Sequence, residues 1–438
     1  MLRRWLQKAP SFYFVSFAML AAFGAYFCMY AYRKPFTVAT FEGLNLWGLD
    51  FKIWLIIAQV AGYVLSKFIG IKVISELGRG RGRLFFLVGL ILAAETALFF
   101  FALVPVRWKL LCLFFNGLPL GMIWGIVFSY LEGRRFSEIL GAGLSVSFIV
   151  SSGAVKSVGK WVMDSLGYSE FWMPFVSGLI FLPFLLIFGI MLEQIPPPTQ
   201  EDELLRSPRR AMTRHERRQF ISTFAAGILT LVLFYVGLTA YRDFRDNFAV
   251  ELWTALGYGD APSIFTLAEL PIALIVLVAL GLTMFIRDNR RAFLFYHWII
   301  LGSAGLIGIS TLLFQAHLLP PAAWMIAVGL GLYTAYVPFN CILFDRMLAA
   351  FKIAGNAGFM IYVADAFGYL GSVFVLLYKN FGQADLSWLQ FFIYASYGLA
   401  IFGLVLATLS LFYFRSKFLT LHGKNVPVSQ PVVGAGLV

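Results

Sequence analysis

The feature that most constrains the fold is a series of twelve apolar segments along the 438-residue chain. Each segment is close to the ~20 residues that a helix needs to cross a bilayer. Charged residues make up only 13% of the chain, against about 25% in soluble domains. The sequence therefore predicts an all-α integral membrane protein with twelve transmembrane helices. The predicted spans are 12–34, 52–72, 84–104, 108–130, 139–161, 171–192, 220–243, 262–286, 292–314, 323–345, 355–378 and 388–414.

The longest polar stretch, residues 193–218, separates six predicted helices from six others. It contains three consecutive prolines and the basic run Arg206–Arg210. We expect an N-terminal six-helix bundle at 1–192, a cytoplasmic linker at 193–218, a C-terminal bundle at 219–416 and a tail at 417–438. In transporters built from two such halves, the binding site lies at their interface near the bilayer midplane. The short loops leave no room for a catalytic domain, so we do not expect an enzyme.

The distribution of lysine and arginine predicts the orientation of the chain. The loops on one side hold only four basic residues, Lys52, Arg107, Lys109 and Lys379. By the positive-inside rule, both termini are then cytoplasmic. The first apolar segment has no cleavage pattern and is predicted to be a retained helix. We expect a bacterial inner (cytoplasmic) membrane protein.

The net charge of +12 comes from short loops between apolar segments, which gives no reason to expect a nucleic-acid partner. The three cysteines and four histidines are scattered without metal-ligand spacing, so no metal or cofactor is expected. The expected partners are the lipid bilayer and a small substrate, and the protein is expected to be a monomer.

Charged residues inside the spans are the candidates for function, because intramembrane charge is expensive and usually faces a cavity or a partner. Arg33 and Lys34 end the first span. Tyr26, Tyr30 and Arg33 share one helix face, at intervals of four and three residues. This pattern suits a cavity with aromatic walls and a cationic tip. It equally suits an anchor that reaches the lipid headgroups.

The seventh span carries a second basic pair, Arg242 and Arg245, on one helix face. Asp246 lies four residues after Arg242 and could form an ion pair with it. Alternatively, Asp243 and Asp246 could neutralise a charged helix end with no role in binding.

Other intramembrane charges are Lys67, Lys156, Glu95, Glu269 and Asp365. We expect Glu95 to have a structural ion-pairing role. Glu269 and Asp365 could take up protons or serve as exchangeable partners of the arginines. An excess of basic over acidic residues in the spans favours an anionic substrate.

Short motifs in both halves resemble those of a known family, the organophosphate:inorganic phosphate antiporters of the major facilitator superfamily. This family includes the glycerol-3-phosphate and sugar-phosphate transporters. The similar motifs are Tyr32-Arg33-Lys34-Pro35-Phe36, Tyr63 with Ser66-Lys67-Phe68, Asn116-Gly117, Tyr241-Arg242, Glu269-Leu270-Pro271 and Phe367-Gly368-Tyr369-Leu370-Gly371.

The resemblance implies the major facilitator fold and a phosphate held between Arg33 and Arg242, with Lys34 and Lys67 in the same basic cavity. Guanidinium groups match phosphate oxygens bidentately, which agrees with this assignment. We add Lys156 for positive potential and Tyr30, Tyr63 and Tyr369 for substrate contacts. The candidate coupling or gating ion pairs involve Arg245, Asp246, Glu269 and Asp365.

The predicted function is secondary transport of a small organic anion, an organophosphate or phosphate, by rocking-bundle alternating access. Both anion exchange and proton coupling stay open. One alternative is a membrane sensor of the same fold that binds a phosphorylated ligand without flux. A third interpretation, a cation or drug exporter using Glu95, Glu269 and Asp365, is disfavoured by the excess of buried basic residues.

Overall fold

The computed structural model describes residues 2–76, 82–131, 134, 136–199, 214–259, 263–353, 357–383 and 385–423. Twelve helices in these ranges are long and apolar enough to cross a membrane, which confirms the predicted number of spans. Parts of the predicted linker and tail, residues 200–213 and 424–438, lie outside the described residues. The spans are numbered in chain order below: Ser11–Tyr32, Phe51–Gly70, Gly82–Leu103, Val106–Leu131, Ile139–Asp164, Met173–Glu193, His215–Asn247, Ile264–Phe285, Asn289–Gln315, Pro321–Cys341, Ala357–Gly382 and Trp388–Thr420.

The α-helices of the first half are α1 Leu2–Lys8, α2 Ser11–Met29, α3 Phe51–Glu76, α4 Gly82–Leu103, α5 Lys109–Leu120, α6 Ile123–Leu131, α7 Ser137–Asp164 and α8 Met173–Glu193. Those of the second half are α9 Arg214–Asn247, α10 Ala249–Ala255, α11 Ile264–Leu282, α12 Asn289–Gln315, α13 Pro321–Cys341, α14 Leu343–Ala350, α15 Ala357–Leu377 and α16 Trp388–Gly423. Short 3₁₀ turns cover Tyr30–Tyr32, Pro35–Val38, Val106–Trp108 and Thr283–Phe285, and a π turn covers Tyr378–Gly382.

The first span ends earlier than the sequence pattern predicts. Its α-helix stops at Met29 and tightens into the 3₁₀ turn Tyr30–Tyr32. Pro35 then begins a second 3₁₀ turn, because proline supplies no amide hydrogen to continue a helix. Arg33 and Lys34 therefore lie in a buried junction between two turns rather than on a continuous helix.

A small hairpin follows this junction and was not predicted. Strands β1, Asn45–Leu46, and β2, Leu49–Asp50, pair antiparallel. The connecting residues Trp47 and Gly48 both have positive φ, +51° and +80°, as a two-residue type I′ turn requires. The hairpin marks one end of the molecule, called the hairpin end below.

Glycines allow very close contacts between helices. A Cβ at Gly117 in the fourth span would lie 2.1 Å from the carbonyl oxygen of Gln59 in the second. A Cβ at Gly153 in the fifth span would lie 2.1 Å from the carbonyl oxygen of Phe265 in the eighth. Backbones touch at both places, so larger residues would separate these helices.

The two six-helix bundles meet along a few helix pairs. The second span packs against the eleventh, and the fifth packs against both the eighth and the tenth. These helices carry six of the twelve predicted site residues, which thus face each other across one interface.

Candidate substrate-binding site

Arg33 lies at this interface and is almost completely buried, with 2% of its surface exposed. Its guanidinium carbon lies 4.0 Å from the ring centre of Tyr63, 5.4 Å from that of Tyr369 and 6.0 Å from that of Tyr30. Its Nε has no hydrogen-bond partner, and no carboxylate of the described residues lies within 4.0 Å of the group. Arg33 therefore faces the interior and does not anchor the chain at the headgroups.

The position of Tyr63 gives the depth of this arginine. Tyr63 follows the start of the second span at Phe51 by about 18 Å, at 1.5 Å per helical residue. The hydrocarbon core of a bilayer is about 30 Å thick. Arg33 and its aromatic neighbours thus lie deep in the membrane-spanning region.

Arg242 enters the same space from the other half. Its Nη2 donates to the Tyr369 hydroxyl at 3.0 Å and to Oδ1 of Asp243 at 2.7 Å, and its Nη1 donates to the Tyr336 hydroxyl. Tyr369 bridges the two arginines, since its hydroxyl contacts Arg242 and its ring faces Arg33. The structure thus brings the two predicted arginines to one aromatic residue.

Asp246 has different partners from the one considered in the sequence analysis. Its carboxylate lies 2.5 Å from the ammonium of Lys34 and 2.5 Å from that of Lys156, both in the first half. Arg242 instead pairs with its neighbour Asp243. The idea of an Arg242–Asp246 pair was wrong, because two lysines of the opposite bundle reach Asp246.

Arg245 forms a separate ion pair. Its Nη1 lies 2.6 Å from Oε1 of Glu269, and its Nη2 donates to the Met325 carbonyl at 3.3 Å. Arg242 and Arg245 therefore have separate partners despite their spacing of three residues. Glu269 holds Arg245 in this arrangement.

Asp365 pairs with a lysine rather than with an arginine. The Lys67 ammonium lies 2.8 Å from Oδ2 of Asp365, which joins the second span to the eleventh. The Tyr235 hydroxyl donates to Oδ1 of the same carboxylate. Lys67 also lies 5.2 Å from the ring centre of Tyr63, so this pair adjoins the Arg33 aromatic group.

All twelve predicted site residues thus fall into one group of neighbours, made of three sets of direct contacts around Tyr369, Asp246 and Glu269. We call its charged members the interface cluster: Arg33, Lys34, Lys67, Lys156, Arg242, Arg245, Asp243, Asp246, Glu269 and Asp365. It holds six cations and four carboxylates. With all groups ionised, the cluster carries an excess of two positive charges.

Several polar residues of the site were missed or undervalued. Asp243 was considered only as a neutralising charge, yet it binds Arg242 and accepts from Ser372 at 2.8 Å. Tyr336 and Asn340 of the tenth span surround Tyr235, with oxygen–oxygen distances of 2.9 and 3.2 Å. Their spacing of four residues puts both on one face of an apolar helix, and this signal could have found them.

Glu95 departs from its predicted role. It is 5% exposed, and both carboxylate oxygens lack a hydrogen-bond partner in the described structure. No cation forms an ion pair with it there, so the structural pairing expected from the sequence is not present.

A family model covers most of the chain, matching residues 35–417, and its description is "Family of unknown function (DUF5690)". The chain belongs to this family. The matched range includes every member of the interface cluster except Arg33 and Lys34. No curated protein sequence matches this family member.

Among solved structures, this DUF5690 member is similar to a crystal structure of a D-xylose-proton symporter. The TM-score is 0.58 and the identity 14%, and the match covers 92% of this chain and 97% of that one. At this identity the likeness establishes the fold alone. The chain thus has the major facilitator fold predicted from its motifs, whereas its place among organophosphate antiporters remains a prediction.

Proposed function

We propose that this protein is a secondary transporter of a small organic anion of the organophosphate or phosphate class. The observation that carries the proposal is the Arg33 guanidinium, which is buried without a carboxylate partner among the described residues and faces Arg242 across Tyr369. Burying an unpaired charge is strongly unfavourable. A bound anion would supply the missing partner.

The charge of the interface cluster supports a divalent ligand. A phosphate monoester carries about −1.5 to −2 charges at neutral pH. This nearly offsets the excess of two positive charges, whereas a monocarboxylate would offset half of it. Two arginines also present paired donors that match phosphate oxygens.

The positions of the ion pairs support alternating access by rocking bundles. Lys34 and Lys156 bind Asp246 across the interface. Lys67 binds Asp365, and Lys67 lies about 24 Å along the second span from the first residue of that span at the hairpin end. A carrier that opens towards one side must break one set of contacts while it keeps the other. We place the protein in the cytoplasmic membrane of a bacterium, with both termini inside.

The test is uptake of labelled phosphate by proteoliposomes preloaded with phosphate or sugar phosphates. We expect Arg33→Ala and Arg242→Ala each to reduce exchange at least a hundredfold, since each removes one side of the anion site. Arg107→Ala is the matched control, because Arg107 is exposed in the 3₁₀ turn that begins the fourth span. Exchange in the two buried-arginine variants at the wild-type rate would contradict the proposal.

The same preparation distinguishes transport from sensing. Phosphate binding to the detergent-solubilised protein without flux in proteoliposomes would favour the receptor alternative. Transport of an uncharged sugar that competes with no anion would contradict the anionic substrate.

A further inference from the structure

The buried carboxyl of Glu95 lies outside the interface cluster. Glu95 is in the third span and contacts the sixth so closely that a Cβ at Gly178 would lie 2.2 Å from its Oε2 and 2.9 Å from its Oε1. Neither oxygen has a hydrogen-bond partner in the part of the chain that the structure describes. A carboxylate ion in apolar surroundings without a donor is far less favourable than the neutral acid.

Within the described ranges, the elements packed against Glu95 offer it no cation within ion-pair distance. The first span and its turn contribute Cys28 and the Tyr32 hydroxyl, and Tyr32 is near enough to interact electrostatically with Glu95. The sixth span contributes Ser177 and Gly178. The fourth span contributes Cys112 and Lys109, whose ammonium binds the Phe101 carbonyl at 2.5 Å.

A buried network of hydrogen bonds connects the region around Glu95 to Arg33. The Asn116 amide donates to the backbone carbonyls of Ala94 at 3.1 Å and Tyr32 at 3.0 Å. The Gln59 amide donates to the Asn116 side-chain oxygen at 2.8 Å and to the Arg33 carbonyl at 3.0 Å. The residue before Glu95 is thus tied through two amides to the turn that presents Arg33.

We infer that Glu95 is a proton-binding site whose occupancy is coupled to anion binding at Arg33 and Arg242. In the neutral state the proton resides on the carboxyl, and on ionisation it leaves to water. The ionised carboxylate would add a negative charge beside the turn that carries Arg33, which opposes an anionic substrate. Protonation of Glu95 therefore favours anion binding, and by linkage anion binding favours protonation.

This inference rests on the proposed anion site and deepens it, because it makes a proton the co-substrate. One coupled proton per anion makes phosphate affinity fall about tenfold for each pH unit above the titration of the carboxyl. Glu95→Gln imitates the protonated acid. At every pH, this variant is therefore expected to bind phosphate with the affinity that wild type has at low pH.

The test measures pH changes when inorganic phosphate is added to the weakly buffered, detergent-solubilised full-length protein. Phosphate titrates in the same way in every sample, so the difference between wild type and Glu95→Gln isolates Glu95. At pH values above the titration of the carboxyl, where the empty protein carries the ionised form, we expect wild type to take up close to one additional proton per site. The matched control Glu42→Gln, which alters an exposed carboxylate, should behave as wild type.

Equal proton uptake and equal pH dependence of affinity in wild type and Glu95→Gln would overturn the inference. Infrared difference spectra of wild type provide a second measurement that needs no variant to fold. A protonated-carboxyl band that strengthens on phosphate binding supports the coupling, and its absence at every pH overturns it.

Failure of the proposed function would look different. A wild-type protein that binds no phosphate at any pH contradicts the anion site, and it also removes the coupling. Phosphate binding that is lost in Arg33→Ala but is independent of pH in wild type retains the anion site and overturns only the role of Glu95.

Discussion

At the scale of single residues, Tyr369 connects the two arginines with each other and with the opposite bundle. Its hydroxyl binds Arg242, its ring faces Arg33, and its ring centre lies 4.6 Å from that of Tyr63 in the opposite bundle. One side chain thus positions both arginines and joins the two halves. Its contribution can be divided by removing the hydroxyl and the ring separately.

We expect Tyr369→Phe to raise the phosphate KM by about ten- to a hundredfold, since one hydrogen bond to a charged group is worth about 1.5–3 kcal/mol. Tyr369→Leu removes the ring as well and should lower kcat in addition. The measurement is phosphate exchange at varied substrate concentration. Tyr394→Phe, on the exposed surface of the twelfth span, is the control. Equal kinetics of the Phe and Leu variants would contradict this division.

At the scale of helices, the contact between the fifth and eighth spans decides how closely the bundles approach. Gly153 touches the Phe265 carbonyl, and Lys156 follows on the same helix one turn later. A side chain at this contact would separate the helices and lengthen the distance between Lys156 and Asp246. We therefore expect the length of the Lys156–Asp246 ion pair to depend on the backbone contact at Gly153.

Gly153→Ala is expected to slow exchange at least tenfold while the protein still folds, because the bundles can pack in another state of the transport cycle. Gly302→Ala should have no effect, since a Cβ at Gly302 meets nothing within 4 Å. Exchange rates and melting temperatures of both variants provide the comparison. Wild-type exchange by Gly153→Ala would show that this contact is not part of the cycle.

At the scale of the whole molecule, the halves are held together by charge pairs at separate depths. Removal of one partner of a buried pair costs about 3–5 kcal/mol, because the remaining charge stays unpaired. The Lys67–Asp365 pair allows a clean test, since each member has a single ion-pair partner among the described residues.

Lys67→Asp and Asp365→Lys are each expected to lower the melting temperature and abolish exchange, since each places two like charges together. The double variant restores opposite charges and should recover stability and part of the activity. Lys160→Ala removes an exposed pair with Asp164, 3.7 Å apart, and should change neither property. A double variant as impaired as the sum of the single variants would contradict direct pairing.

The sequence was sufficient for the number of spans and for the central pair of arginines, because hydropathy and intramembrane charge depend on local composition. The sequence was not sufficient to predict the ion-pair and hydrogen-bond partners of these charged residues. Asp246 was tied to Arg242 by helical spacing, whereas its real partners come from residues more than 85 positions away. Tyr235 and Asn340 were missed because their polarity matters only where three helices meet around Asp365.

For the proposed carrier, the uncompensated charge of the interface cluster predicts that transport is sensitive to membrane voltage. Moving one elementary charge through 100 mV changes the free energy by about 2.3 kcal/mol. The empty carrier, with two excess positive charges, would reorient through part of that field, whereas the carrier loaded with a divalent anion would be nearly neutral. A potential that is negative inside would therefore favour the state in which the empty site faces the cytoplasm, ready to bind another anion. It would have almost no effect on the reorientation of the loaded carrier.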